Sequence, residues 1–426
     1  MTEHYIEKAM GMIYDAKNGI IKPGLDMKDI KTWKRFRLSS RIGFGMGKYM
    51  IFFGTSGAGK TAFIDDAAVI TPIIELFHVE PAKRHDLLYI YRSMERPPEE
   101  KMVKIISLLL YWKYNLILDK ATLLQWPSKK RLLYDDDIEK IKSLEPYLEF
   151  ISDRLILLGG ARTAEEIYQY ILTTVYKRGA FFKSDIDFVY CNGKKICDFE
   201  ANIIGDAKIG NKKITKHLDR KGNKYIEIES GNKKVKISQQ SQAYIPNNPN
   251  DLLICINDTI NKIIPEKGQN ALETLINHSR NMGELRDASA AGVIDISQMA
   301  KDDLKDIGKN LHLTQGHIKG AGDIPNNADI ILSLINPLQY DVSEYSPNIE
   351  AEYDLNRCHG AFRLAQIIKN SDGMDVHKLP FAMLGEIGYF KELPPNGMKD
   401  YDYTELDTMF AHRYEKAIQS PPQELF

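Results

Sequence analysis

Cysteine is scarce in this chain: four in 426 residues, at Cys191, Cys197, Cys255 and Cys358, with no C-x-x-C pair. No histidine stands beside the closest two. That excludes a disulfide-built scaffold, lacks the spacing of a zinc site, and fits reduced thiols in a cytosolic chain. Net charge is nearly absent as well: 57 Lys and Arg against 58 Asp and Glu leave −1. Without a global basic field, any contact with nucleic acid must come from local patches. Long apolar runs are missing too. The most apolar stretch, 105–118, is interrupted by Lys113 and is too short to span a bilayer. The first eight residues, Met1 to Lys8, are charged and do not form a secretory leader. A soluble, cytoplasmic protein with no membrane partner is expected.

What is present is a phosphate-binding loop. Gly54-Thr55-Ser56-Gly57-Ala58-Gly59-Lys60-Thr61 matches G-x-x-x-x-G-K-[ST] in full. An apolar run, 49–53, precedes it as a buried strand, and 62–70 follows as a helix. Glycines let backbone N–H groups curl around the β- and γ-phosphates of a nucleotide. Lys60 then reaches those phosphates, and the Thr61 hydroxyl is placed to ligate Mg²⁺ at the start of the helix. The alternative, a glycine-rich surface turn, leaves the strand–loop–helix context unexplained.

The rest of the chain alternates short apolar strands with helices. Strands are predicted at 87–91, 155–158, 252–256, 293–296, 330–335, 362–368 and 378–384. Helices are predicted from Pro98 to about Tyr114, from Thr163 (with Glu166, a capping box) to about Tyr176, and over roughly 269–290. This pattern means an α/β fold with a mainly parallel twisted sheet and late hairpin strands at one edge. Residues 1–34 read as an amphipathic helix (over 1–22) and a loop, 35–395 as the core, and 396–426 as a tail. Two insertions interrupt the core. Residues 191–248 form a β-rich segment, of which 191–240 holds twelve Lys and Arg against six Asp and Glu; it is either a solvated decoration or an auxiliary nucleic-acid or partner surface. Residues 336–355 read as a surface loop.

Hydrolysis of a γ-phosphate needs a Mg²⁺ organiser, a base for the attacking water and positive charge near the transition state. Asp258, after the strand 252–256, is the expected carboxylate on the Mg²⁺ side; the plainer reading is a strand-terminal turn. Glu95, at the carboxyl end of the strand 87–91, points toward the ligand crevice of a parallel sheet and is the expected general base; helix capping beside Pro97 is the alternative. Gln298, ending the next strand, is placed to sense the γ-phosphate, or is a loop amide.

With these motifs in order, the chain resembles the DnaB-like replicative helicases, a RecA-fold group, over about residues 35–395 outside the insertions. The resemblance rests on the loop, on Ser93-Met94-Glu95 and Asp258-Thr259-Ile260, and on Leu285-Arg286-Asp287 before Val293 to Lys301. It continues in Ile318-Lys319-Gly320-Ala321-Gly322-Asp323-Ile324, in Ala328-Asp329-Ile330, and in Ile367-Ile368-Lys369-Asn370 ahead of Phe381 to Glu386. It implies a ring-forming motor: a homo-oligomer, typically a hexamer, that uses ATP and Mg²⁺ to move along single-stranded DNA in replication, with a primase or loader as partner. It also implies that Lys301, Lys319, Gly320 and Gly322 contact DNA, where solvated surface lysine is the alternative for the two cations. Lys369 would act on a neighbour's nucleotide. Two departures stand out. Ser371 replaces the arginine that follows in the K-N-R turn, with Arg357 and Arg363 as nearby substitutes, and the separate N-terminal helical domain is missing, as in compact phage-type versions. A RecA/RadA-like recombination or loader ATPase, and a slow nucleotide-gated scaffold, are the alternatives.

Overall fold

The computed structural model describes residues 47–199, 208–209, 212–218, 224–230, 233–239, 242–248, 251–289, 291–299, 311–319, 324–348, 351–371, 377–394 and 402–411. The expected helix over 1–22 and the residues Lys301, Gly320 and Gly322 lie outside them.

Nine strands build the central sheet: β1 (Tyr49–Gly54), β2 (Asp86–Ser93), β3 (Leu155–Gly159), β4 (Asp251–Asp258), β5 (Gly292–Gln298), β6 (Ile330–Ile335), β7 (Phe362–Asn370), β8 (His377–Leu384) and β9 (Tyr389–Glu392). Their order is β9-β8-β7-β6-β1-β5-β4-β2-β3. From β3 to β6 every pairing is parallel. The last three pairings are antiparallel and close one edge as a meander. This is the expected mainly parallel sheet with late hairpins, extended by β9.

The sheet is buried on both faces, which is why its strands are continuous apolar runs. Successive side chains point to opposite sides. Met50 and Phe52 therefore enter one core with Phe63, Leu108 and Leu109. Tyr49, Ile51 and Phe53 enter the other with Ile167, Ile171, Met282 and Leu285. Helices cover each face. Pro98–Tyr114 starts on a proline whose missing N–H costs a helix nothing at that position, and it ends on Asn115 in the left-handed conformation (φ 53°). Ala164–Arg178 starts on the expected capping box: the Glu166 N–H donates to Thr163 Oγ1 at 3.2 Å, and the Thr163 N–H donates to Glu166 Oε2 at 3.0 Å. The helix after the loop runs from Lys60 to Phe77 with a π-type stretch, Asp65–Ile70, ahead of Pro72, which has no N–H to continue the ladder.

The β-rich segment begins at Gly179, ahead of the basic stretch. One four-stranded antiparallel sheet has the order Gln242–Pro246, Gly179–Ser184, Phe188–Cys191, Lys194–Asp198. A second has Lys233–Ser238, Lys224–Ser230, Lys212–Leu218, Lys208–Ile209. Both feed one small core containing Phe182, Val189, Ile214, Ile226, Ile228, Ile237 and Ile245. Residues 336–355, expected as a loop, contain a short 3-10 turn (Pro337–Tyr340) and a hairpin, Glu344–Asn348 with Ala351–Asp354. The buried Tyr345 and Tyr353 of that hairpin pack on the Phe362 ring. Among the described residues no helix is long and apolar enough to cross a membrane.

Candidate nucleotide site

The carboxyl ends of β1, β2, β4 and β5 open onto one cavity of about 260 Å³. It is lined by Gly57, Lys60, Thr61, Glu95, Asp258 and Gln298, together with Arg96, Lys101, Lys104 and others. Five residues given separate roles from sequence thus converge: Lys60, Thr61, Glu95, Asp258 and Gln298.

The loop's shape depends on its glycines. A Cβ on Gly54 would lie 2.0 Å from the Leu334 carbonyl oxygen, a backbone atom that cannot yield. Gly59 has φ 97°, and a Cβ there would meet Met383 Sδ at 2.5 Å. Lys60 donates to the Gly54 and Thr55 carbonyls at 2.9 and 2.8 Å. Burial pulls its pKa down to about 8, with Asp258 and Glu95 acting against that shift. Thr61 Oγ1 donates to Asp258 Oδ1 at 3.0 Å, and the Tyr91 hydroxyl donates to Oδ2 at 3.2 Å. Burial raises the pKa of Asp258, and Lys101 opposes this in part.

This donor set fits a magnesium nucleotide. Mg²⁺ needs few protein oxygens and keeps waters and phosphate oxygens as its other ligands. One hydroxyl and one carboxylate already within hydrogen-bonding distance suffice, and no cluster of three or more metal-binding side chains exists among the described residues. Thr61 and Asp258 would hold the ion, which when bound neutralises phosphate charge.

Glu95 is exposed to the cavity on the turn that follows β2. That turn is fixed twice: the Met94 N–H donates to the Asp258 carbonyl at 2.6 Å, and Ser93 Oγ donates to the Arg96 carbonyl at 2.9 Å. Gln298 is held by Asn261, whose Oδ1 accepts its N–H at 2.6 Å. Its own carbonyl accepts the Lys319 N–H at 3.0 Å, so the sensor position and an exposed lysine share one bridge.

Lys369 does not enter this cavity. It pairs with Ile331 on β6, itself paired with Ile51. That places it roughly 10 Å back along the strands from Gly54 and about 10 Å across them, with Nζ on the Pro325 carbonyl at 3.1 Å. A role for Lys369 at its own chain's loop is thereby excluded. Ser371 turns inward, its hydroxyl donating to the Asp329 carbonyl at 3.0 Å.

Arg363 is not a free substitute for the missing arginine. It is buried, its Nε donating to the Ala58 carbonyl at 2.9 Å and Nη1 to the Gly360 and Phe362 carbonyls, and burial lowers its pKa to about 10. It buttresses the loop from below. Arg357 lies over the Tyr403 ring at 4.1 Å. Sequence reasoning also missed Gln339, which accepts from Thr55 Oγ1 at 3.2 Å and donates to the Ser56 carbonyl at 3.3 Å. Asp329 accepts from the Tyr49 N–H and from Arg286, both at 2.8 Å, tying the far end of β1 to the helix Ala271–Ser289.

The strand order and the loop after β1 define a RecA-like P-loop fold. No protein-family model and no curated sequence matches the chain. Among solved structures, 257 chains match. One, the ATPase domain of a DnaB-like replicative helicase, is 14% identical with a TM-score of 0.55, over 91% of this chain and 99% of its own. Another, a DnaB-like replicative helicase described together with its interactions with primase, has the same identity and TM-score, over 91% of this chain and 68% of its own. The protein has the fold of a DnaB-like replicative helicase ATPase domain.

Proposed function

We propose that this protein is an ATP-dependent DNA helicase, a ring-forming ATPase that moves along single-stranded DNA during replication. One observation carries the reading: Lys60, Thr61, Glu95, Asp258 and Gln298 line a single cavity at the carboxyl ends of adjacent parallel strands. In it, the water oxygen bonds to the γ-phosphorus while the bridging P–O bond breaks and its electron pair leaves on ADP. Glu95 takes the water's proton, and Lys60 neutralises phosphate charge. Gln298 senses whether the γ-phosphate is present and passes that state to Lys319 across the bridge they share.

Homo-oligomerisation is supported by the position of Lys369, which fits a contribution to a neighbour's nucleotide. The partners proposed are single-stranded DNA, further copies of the chain closing a hexamer, and a primase or loader. The deciding experiment is the ATP turnover rate with Mg²⁺, with and without single-stranded DNA, alongside particle images. DNA-stimulated turnover by closed rings is expected. A monomer that hydrolyses no ATP would overturn the motor.

A second reading, a slow nucleotide-gated scaffold, is favoured by the inward-turned Ser371. Slow turnover that DNA leaves unchanged would select it.

A further inference from the structure

Four cations line the nucleotide cavity: Lys60, Arg96, Lys101 and Lys104. Two are committed. Lys60 donates to loop carbonyls, and Lys101 pairs with Asp65 at 2.6 Å while lying 3.5 Å over the Tyr91 ring. Of the acids on the same wall, Glu100 is taken by Lys120. Arg96 and Lys104 have no ion pair among the described residues. Two like charges in one cleft repel, and a half-buried one loses hydration as well. The effect is visible on Lys104, whose pKa is pulled down first by burial and then by Arg96. A visiting polyanion relieves both penalties.

Position strengthens the case. Arg96 directly follows Glu95 on the turn locked by Ser93, so base and cation come from one fixed piece of backbone. The other arginines near the loop are occupied: Arg363 on the Ala58 carbonyl, Arg357 on Tyr403. Ser371 supplies no charge.

Building on the proposed ATPase reading, we infer that Arg96, assisted by Lys104, is the γ-phosphate cation of this enzyme and acts in cis. An arginine supplied within the same chain serves phosphoryl transfer as one supplied by a neighbour does. Its planar fork spans two equatorial oxygens, and it gains and loses no proton in the step. Charge growing on the γ-phosphoryl oxygens is thus met from the same turn that carries the general base.

The test uses the full chain and three variants, Arg96→Ala, Arg96→Lys and Lys104→Ala. Turnover is measured with Mg²⁺-ATP, and affinity with a fluorescent ATP analogue. Arg96→Ala should lower kcat by about 10³-fold, the lower end of the range for such arginines, with affinity changed less than about threefold. Arg96→Lys should recover part of the loss, since charge returns without the fork, and Lys104→Ala should lose roughly tenfold. Mixing Arg96→Ala with Lys60→Ala subunits should restore nothing, because each lesion silences its own cavity. Restored turnover would move Arg96 to a neighbour's site and overturn the cis assignment. Turnover of Arg96→Ala within about threefold of the unmodified chain would remove its catalytic role altogether while leaving the ATPase intact. An unmodified chain without ATP turnover would defeat the ATPase reading itself and this inference with it.

Discussion

The central sheet and the β unit inserted after Gly179 solve the problem of burial in opposite ways. Strands β1, β4 and β6 are buried along their whole length, so any polar group inside them must find a partner within the sheet. Asp295 shows the consequence. It is fully buried, and accepts from the Tyr49 hydroxyl at 2.7 Å and Asn257 Nδ2 at 2.8 Å, with His278 Nε2 at 2.9 Å. In the inserted unit, alternation does this work: Ile226 and Ile228 point inward while Tyr225, Glu227 and Glu229 face outward. A two-faced sheet concentrates its polar groups in networks and at strand ends, which is where the nucleotide cavity lies. A one-faced sheet leaves its charges on the surface and its core simple.

The sharpest break in this comparison is made at the strand ends. Lys60→Ala should abolish ATP turnover, and Glu95→Gln should reduce kcat by about 10²- to 10⁴-fold with nucleotide still bound; both should melt close to the unmodified chain. Wild-type turnover in either would displace the assigned chemistry from this cavity.

Inside the sheet, Asp295→Asn should cost about 3–5 kcal/mol in denaturant unfolding, the scale of breaking a buried charged network. A loss under about 1 kcal/mol would mean the network is dispensable to the sheet. The proton on Lys60 offers a finer probe. With its pKa in the free chain at about 8, the ammonium is charged below that pH and lost above it. A bound triphosphate favours the charged form and raises the pKa, so affinity for Mg²⁺-ATP should be level at about pH 6–7 and fall as pH passes about 8, by up to about tenfold per pH unit. An affinity flat to about pH 9.5 would place Lys60 away from the phosphates.

The smallest effect on turnover is expected from the inserted core. Phe182→Ala removes its largest fully buried ring, at a local cost of about 3–5 kcal/mol. Hydrogen exchange should show lost protection at 224–230 and 242–246 and none at β1 or β4, with ATP turnover unchanged. A fall in turnover would join the two regions energetically.

Much of this was legible in the sequence, for physical reasons. The loop is local, so eight consecutive residues announce it. The eight expected strands are continuous apolar runs, and each is found. What was not legible depends on long-range pairing. Arg363 lies within an apolar run, and its partner, Ala58, is 305 residues away. Asp295 stands in a similar run, and only the register of β1, β4 and β5 brings its partners to it. The strand β9 has four residues with little pattern of their own, and it is fixed by pairing with β8 and by Asp66 Oδ2, which accepts the Phe390 N–H at 2.9 Å. The helices Asp135–Lys142 and Glu145–Ser152 are short and went unassigned, lacking enough turns to show a clear apolar face.

The inserted unit departs from the core and returns to it at one place. Pro246 pairs with Gly179, and the Asn247 N–H donates to the Arg178 carbonyl at 2.8 Å. The two chain ends are clasped before anything beyond them folds, so the core sees only a closed doorway whatever its size. Lengthening or replacing the unit adds little closure entropy. The same doorway makes it a place to graft a reporter, or to trim the chain, without redesigning the machine behind it.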